Sequence, residues 1–150
     1  MRNWQRTFAS CCSLVAAAAC GATAADVPPR GPVLFASSAW ARAADSGATT
    51  ALYFTLENRD SLADTVNGVS AGVAETASLH VSMQHSGMMH MTPVRALPLP
   101  ARDSVSFRPL GAHVMLTGLK RPLADGDTVY VTLQFTSGDT VAVSAHVRKP

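Results

Sequence analysis

Beyond residue 20 the chain has no cysteine; its three, Cys11, Cys12 and Cys20, all fall in the first twenty positions. That absence excludes a disulfide framework for the rest of the chain. It also excludes a blue-copper site, which needs a thiolate beside two imidazoles, and a Cys-x-x-Cys-His haem attachment. Charge of either sign is scarce, at 15% of residues. With Arg2 and Arg6 set apart, the 12 Lys and Arg fall to ten against ten Asp and Glu. No basic run remains that could hold a phosphate backbone, so nucleic acid is not an expected partner. Long apolar runs are missing as well: the most apolar stretch, Phe8 to Ala19, has twelve residues, short of the ~20 that span a bilayer. No Gly-x-Ser-x-Gly, His-Glu-x-x-His or phosphate loop occurs, and no enzyme is expected.

What is present describes one globular domain: 150 residues, 47% of them apolar, too few for two cores and too apolar for disorder. Residues 1–25 read as an export signal, with Arg2 and Arg6 before the apolar stretch and Ala22-Thr23-Ala24 as a small-x-small cleavage pattern. Cys20 after Ala17-Ala18-Ala19 also resembles a bacterial lipoprotein site, with Ala17 where Leu is usual. Residues 26–35, holding three of the nine prolines, read as an extended lead-in. Residues 36–150 then form the domain, in a periplasmic protein with no transmembrane span.

Alternation of apolar and polar residues predicts strands. It is clearest in Val129, Val131, Leu133 and Phe135, resuming after Ser137-Gly138 with Val141, Val143, Ala145 and Val147, which predicts a hairpin. Ala51 to Glu57 and Leu79 to Met83 are further strands. No segment of ten residues has helical periodicity, so the expected class is all-β, an antiparallel sandwich or barrel.

The unusual residues are concentrated. Met83, Met88, Met89, Met91 and Met115 lie within one window, and His80, His85, His90 and His113 fall in nearly the same one. Methionine is a common core filler, which accounts for the Met but poorly for the His. In a strand, His113 and Met115 point the same way. An imidazole and a thioether without thiolate or carboxylate form a soft, uncharged donor set, which selects Cu(I) over zinc, magnesium or calcium.

His80, ten residues, Met91, twenty-one residues, His113, one residue, Met115: in this spacing the chain resembles the periplasmic copper chaperones called PCuAC proteins. The resemblance extends to Ala39-Trp40-Ala41-Arg42, to Gly87 in a turn, and to the run from Gly111 to Leu123, covering residues 38 to 147. It implies a single cupredoxin-like antiparallel β-sandwich of Greek-key type, monomeric, holding one Cu(I) ion through His80, Met91, His113 and Met115. It further implies delivery towards the dinuclear copper centre of cytochrome c oxidase, with the copper-bearing oxidase subunit or another copper-assembly factor as partner. Thr117 stands where relatives often carry a further Met, and the His- and Met-rich tail of some relatives is not seen in the residues up to Pro150.

Met83, His85, Met88, Met89 and His90 are either an auxiliary metal-collecting loop or fillers and solvated residues around Ser86-Gly87. Trp40 is expected in the core, and His146 on the surface. Two other functions use the same residues: a copper-sequestering resistance buffer, and a structural or adhesive sandwich without metal.

Overall fold

The computed structural model describes residues 33–149 apart from Ser86, and of His85 the backbone alone. The expected leader, with its three cysteines, lies outside the described residues, as does the lead-in up to Pro32. Every described element is a strand, so the all-β expectation holds and no described helix is long and apolar enough to cross a membrane. The ten strands are β1 (Leu34–Arg42), β2 (Thr50–Asn58), β3 (Asp64–Ser70), β4 (Ala74–His85), β5 (Met88–Val94), β6 (Leu97–Leu99), β7 (Ser104–Phe107), β8 (Ala112–Leu119), β9 (Thr128–Phe135) and β10 (Thr140–Arg148). The first of them starts at Leu34, inside the stretch read as lead-in.

The strands form one hydrogen-bonded sheet in the order β5-β4-β8-β7-β2-β1-β10-β9-β3-β6, with β8 also pairing directly to β2. Pairing is antiparallel except for β1 with β10 and β7 with β8. The sheet curls so that both halves contribute to a single core. Leu79, Val114 and Leu116 from one half share it with Val66, Leu99, Leu133 and Val143 from the other. Among the described residues, the buried core runs from Leu34 to Val147.

The β9–β10 hairpin follows its alternation: Val129, Val131, Leu133 and Phe135 are buried and pair with Ala145, Val143, Val141 and the turn. Gly138, at φ 93°, lets the chain reverse between Phe135 and Asp139.

Trp40 is placed differently from expectation. Leu34 and Ala36 face the core, and unbroken alternation would send residues 38 and 40 inward as well. A bulge between Ser37 and Trp40 shifts the register against β2, with Ser38 at φ 54°. One extra residue reverses the facing of all that follow. Ala41 therefore enters the core at 0% exposure, and Trp40 turns to the outer face opposite Tyr53.

Candidate metal centre

The outer face of β5, β4, β8, β2 and β1 is where the sequence-predicted ligands meet. Residues paired across strands share a face. The register pairs Met91 with Ser82, His80 with His113, Ser78 with Met115, Met115 with Ala51 on β2, and Tyr53 with Trp40. All of these side chains thus stand on one side of the sheet, opposite the core residues Leu79, Val114, Leu116, Leu52 and Phe54. The sequence spacings follow from this layout. His113 and Met115 are one strand step of two apart. The β4–β5 hairpin carries Met91 back towards His80, and the longer gap spans β6 and β7 before the chain returns on β8.

His113, Met115 and Met91 line a depression of about 500 Å³ together with Tyr53, Ser82 and Leu110. No carboxylate lines it, and among the described residues no three His, Cys, Asp or Glu gather as a metal cluster. The donors offered are imidazole and thioether. Leu110 is 74% exposed and held at φ 64°, so an apolar side chain stands at the rim in a backbone conformation L-residues seldom adopt.

His113 is 3% exposed. Its Nδ1 lies 3.1 Å from the carbonyl oxygen of Gly111, and because a carbonyl can only accept, Nδ1 donates there and Nε2 is the nitrogen left for a metal. A hydrogen bond of this kind fixes ring orientation in metal sites. Behind the ring lies Tyr53 at 6.2 Å between centroids, itself packed on Trp40 at 4.6 Å. Arg148 lies over Trp40, its guanidinium carbon 4.6 Å from the indole centroid. The displaced Trp40 thus supports the site from outside the core.

His80 faces His113 with ring centroids 5.8 Å apart. An imidazole nitrogen ~2.0 Å from a metal puts its ring centroid ~3.2 Å from the ion, so two rings on one ion lie no more than ~6.4 Å apart, and the observed separation satisfies that limit. His80 Nε2 is 3.1 Å from Ser78 Oγ, whereas its Nδ1 is buried and has no partner. An orphaned buried ring nitrogen is costly unless something satisfies it, and a metal ion would. Burial, and secondly the like charge of His113, push the His80 imidazole below its ordinary pKa of 6.5. Both effects favour the neutral ring, the form that ligates.

The auxiliary candidates divide by parity. Met89 pairs with Gln84 and shares the outer face with Met91. Met83 and His90 pair directly on the opposite face, where Met88 also stands. The backbone of His85 sits opposite Met88 in the register. Met83, Met88, Met89 and Met91 are 57%, 63%, 45% and 61% exposed, so they are not core fillers. His146 is exposed, as expected. Tyr53 and Ser78 gave no distinctive signal in the sequence, and Gly111 was marked only as part of the run that resembles the family. Their roles arise from strand neighbours that only the register identifies.

The LpqE-like family model ("Putative lipoprotein LpqE-like") matches residues 34–147. A relative in Leifsonia xyli subsp. xyli, "Putative lipoprotein Lxx21020", is 34% identical over 113 residues, covering 75% of this chain and 68% of the relative. Among solved structures, the solution structure of the Cu(I) form of DR1885 from Deinococcus radiodurans is 37% identical with a TM-score of 0.58, covering 76% of this chain and 78% of that one. The copper-bound PCuAC domain from PmoF2 has a TM-score of 0.66 at 23% identity over 79% of this chain and 95% of that domain, a likeness of fold. With the family match spanning nearly the entire described domain, the chain belongs to the LpqE-like family and has the cupredoxin-like fold of PCuAC domains.

Proposed function

We propose that this protein is an exported carrier of one Cu(I) ion, bound through His80, Met91, His113 and Met115, and that it passes the ion towards the dinuclear copper centre of cytochrome c oxidase. The observation that carries the reading is the placement of two imidazoles and two thioethers on one sheet face, with His113, Met91 and Met115 lining a depression that no carboxylate lines and His80 paired beside His113. Soft neutral donors favour Cu(I), and the Cu(I) form of DR1885, a similar structure, supports the choice. The chain's own residues would act in two ways. Gly111 orients His113, and burial favours the neutral form of His80, the form that ligates. Met91, on the edge strand β5 and 61% exposed, would be the ligand an acceptor can displace first. Release then needs no unfolding of the core.

Export rests on the leader pattern of residues 1–25, and the lipoprotein names in the family favour acylation of Cys20 over cleavage just before Asp26. Mass spectrometry of the N-terminal peptide decides between the two.

The functional test is titration with Cu(I) under reducing conditions, X-ray absorption, and incubation of the loaded protein with the apo copper domain of the oxidase. One tight equivalent with mixed sulfur and nitrogen coordination, followed by transfer, is expected. Preference for zinc would overturn the metal assignment. A tightly bound ion that never transfers would favour sequestration.

A further inference from the structure

The β4–β5 hairpin outruns the rest of the sheet. Strand β4 pairs with β8 only as far as Val81 opposite Ala112. Ser82 still donates its N–H to the Gly111 carbonyl at 3.0 Å, but from Met83 onward the described strand has only β5 beside it, and the two form a ribbon closed through Gly87 at φ 80°. One face of this ribbon continues the core face of the domain. Leu79 is buried in the core with Val94 packed against it. The next pair is Val81 with Thr92, then Met83 with His90, and Met88 stands beyond. The core has ended by then, since Met83 and Met88 are 57% and 63% exposed and His90 is exposed too.

Protruding edge ribbons are normally protected by charged side chains. Here residues 81–92 contain no Asp, Glu, Lys or Arg. In their place stand thioethers and an imidazole. Directly paired residues have Cβ atoms ~5 Å apart, and diagonal neighbours lie within ~8 Å, inside the reach of long side chains. Met83 and His90 form such a direct pair, and Met88 is diagonal to Met83. Two thioethers and an imidazole can converge there, again with no carboxylate, which is a donor set for Cu(I).

We propose that the hairpin tip binds a second Cu(I) on the face opposite the first, through Met83, Met88 and His90. The choice of metal rests on the proposed Cu(I) function, whereas the separateness of the two sites rests on strand parity alone. Met89 and Met91 stand on the other face, so the two ions share no donor. With three donors on an exposed ribbon, against four on a partly buried and oriented face, the second ion binds at least about tenfold more weakly.

The test uses the chain from Asp26 onward, which contains every described core residue and no cysteine. Cu(I) is titrated anaerobically against a chromophoric Cu(I) chelator while the methionine methyl resonances are followed by NMR. The expected result is two equivalents, the first moving Met91 and Met115, the second moving Met83 and Met88 and leaving Met89 in place. The combined substitution Met83→Leu, Met88→Leu and His90→Asn should reduce capacity from two to one, with the first affinity changed by less than about twofold. In Met115→Leu the second equivalent should persist although the first is weakened, so failure of one site is told from failure of the other. Should the triple variant fold poorly by circular dichroism, Met83→Leu alone with the methyl shifts decides the matter. A parent chain that binds one ion only, a second equivalent that survives the triple substitution, or one that moves Met89 in place of Met83 would overturn the proposal.

Discussion

Met115 and Leu116 are neighbours in the chain on opposite faces of β8, and exchanging each should separate copper binding from stability. Met115 is half-buried on the outer face beside Ser78 and Ala51. Leu116 is 0% exposed in the core. Met115→Leu nearly conserves volume, and such swaps cost less than ~1.5 kcal/mol. A domain of roughly 115 residues unfolds with ~0.24 kcal/mol/K of entropy, which converts that cost to less than ~6 °C in Tm. The lost thioether should weaken Cu(I) by at least about tenfold, or ~1.4 kcal/mol. Leu116→Ala reverses the pattern. A buried Leu truncated to Ala costs ~2–5 kcal/mol, which by the same entropy lowers Tm by about 8–20 °C. Copper affinity measured well below that melting range should change little, because the donors are untouched. The assays are Cu(I) competition with a chromophoric chelator and calorimetric melting of the apo proteins, with Met88→Leu as a control for the first equivalent. If Met115→Leu and Met88→Leu hold the first ion equally well, the four-ligand assignment is wrong. If Leu116→Ala loses copper in proportion to Met115→Leu, the two faces of β8 are not separate and the reasoning from parity fails.

Three further outcomes follow from the site. Because burial and the neighbouring His113 depress the His80 pKa below 6.5, the unfolded chain binds the His80 proton more readily than the folded one. That contribution to stability is complete above pH 6.5 and is lost as pH falls through the folded value. Apo Tm should therefore decline in mild acid, and less steeply in His80→Gln; equal slopes would rule the mechanism out. Peroxide oxidation of the exposed Met91 to its sulfoxide should lower Cu(I) capacity, and methionine sulfoxide reductase should restore it, whereas full capacity after mass-verified oxidation of Met91 and Met115 would exclude their sulfurs as ligands. Tyr53→Ala removes the buried ring between Trp40 and His113, costing ~3–5 kcal/mol and weakening copper through a loosened His113; Tyr53→Phe should do neither, and a copper loss in Tyr53→Phe equal to that in Tyr53→Ala would implicate the hydroxyl instead.

Strand alternation by itself determined the class of fold, the β9–β10 hairpin and the shared facing of His113 with Met115, because a period of two is a local property that each segment carries in its own residues. Composition determined the donor chemistry, since no cysteine follows Cys20 and Met and His gather in one window. Three features were decided only by tertiary structure. The pairing of His80 with His113 joins strands 33 positions apart through the register of β4 with β8, and no local pattern encodes which strands become neighbours. The division of the hairpin's Met and His into two faces, with Met83 and His90 paired away from Met89 and Met91, depended on where Gly87 turns the chain and on where the core stops beneath it. Trp40 is the plainest case. A tryptophan in an apolar strand reads as core, yet the single residue added at Ser38 turned it outward onto Tyr53. A bulge is chosen by the fit of β1 between β2 and β10, and it reverses every facing beyond it without changing any residue's own preference.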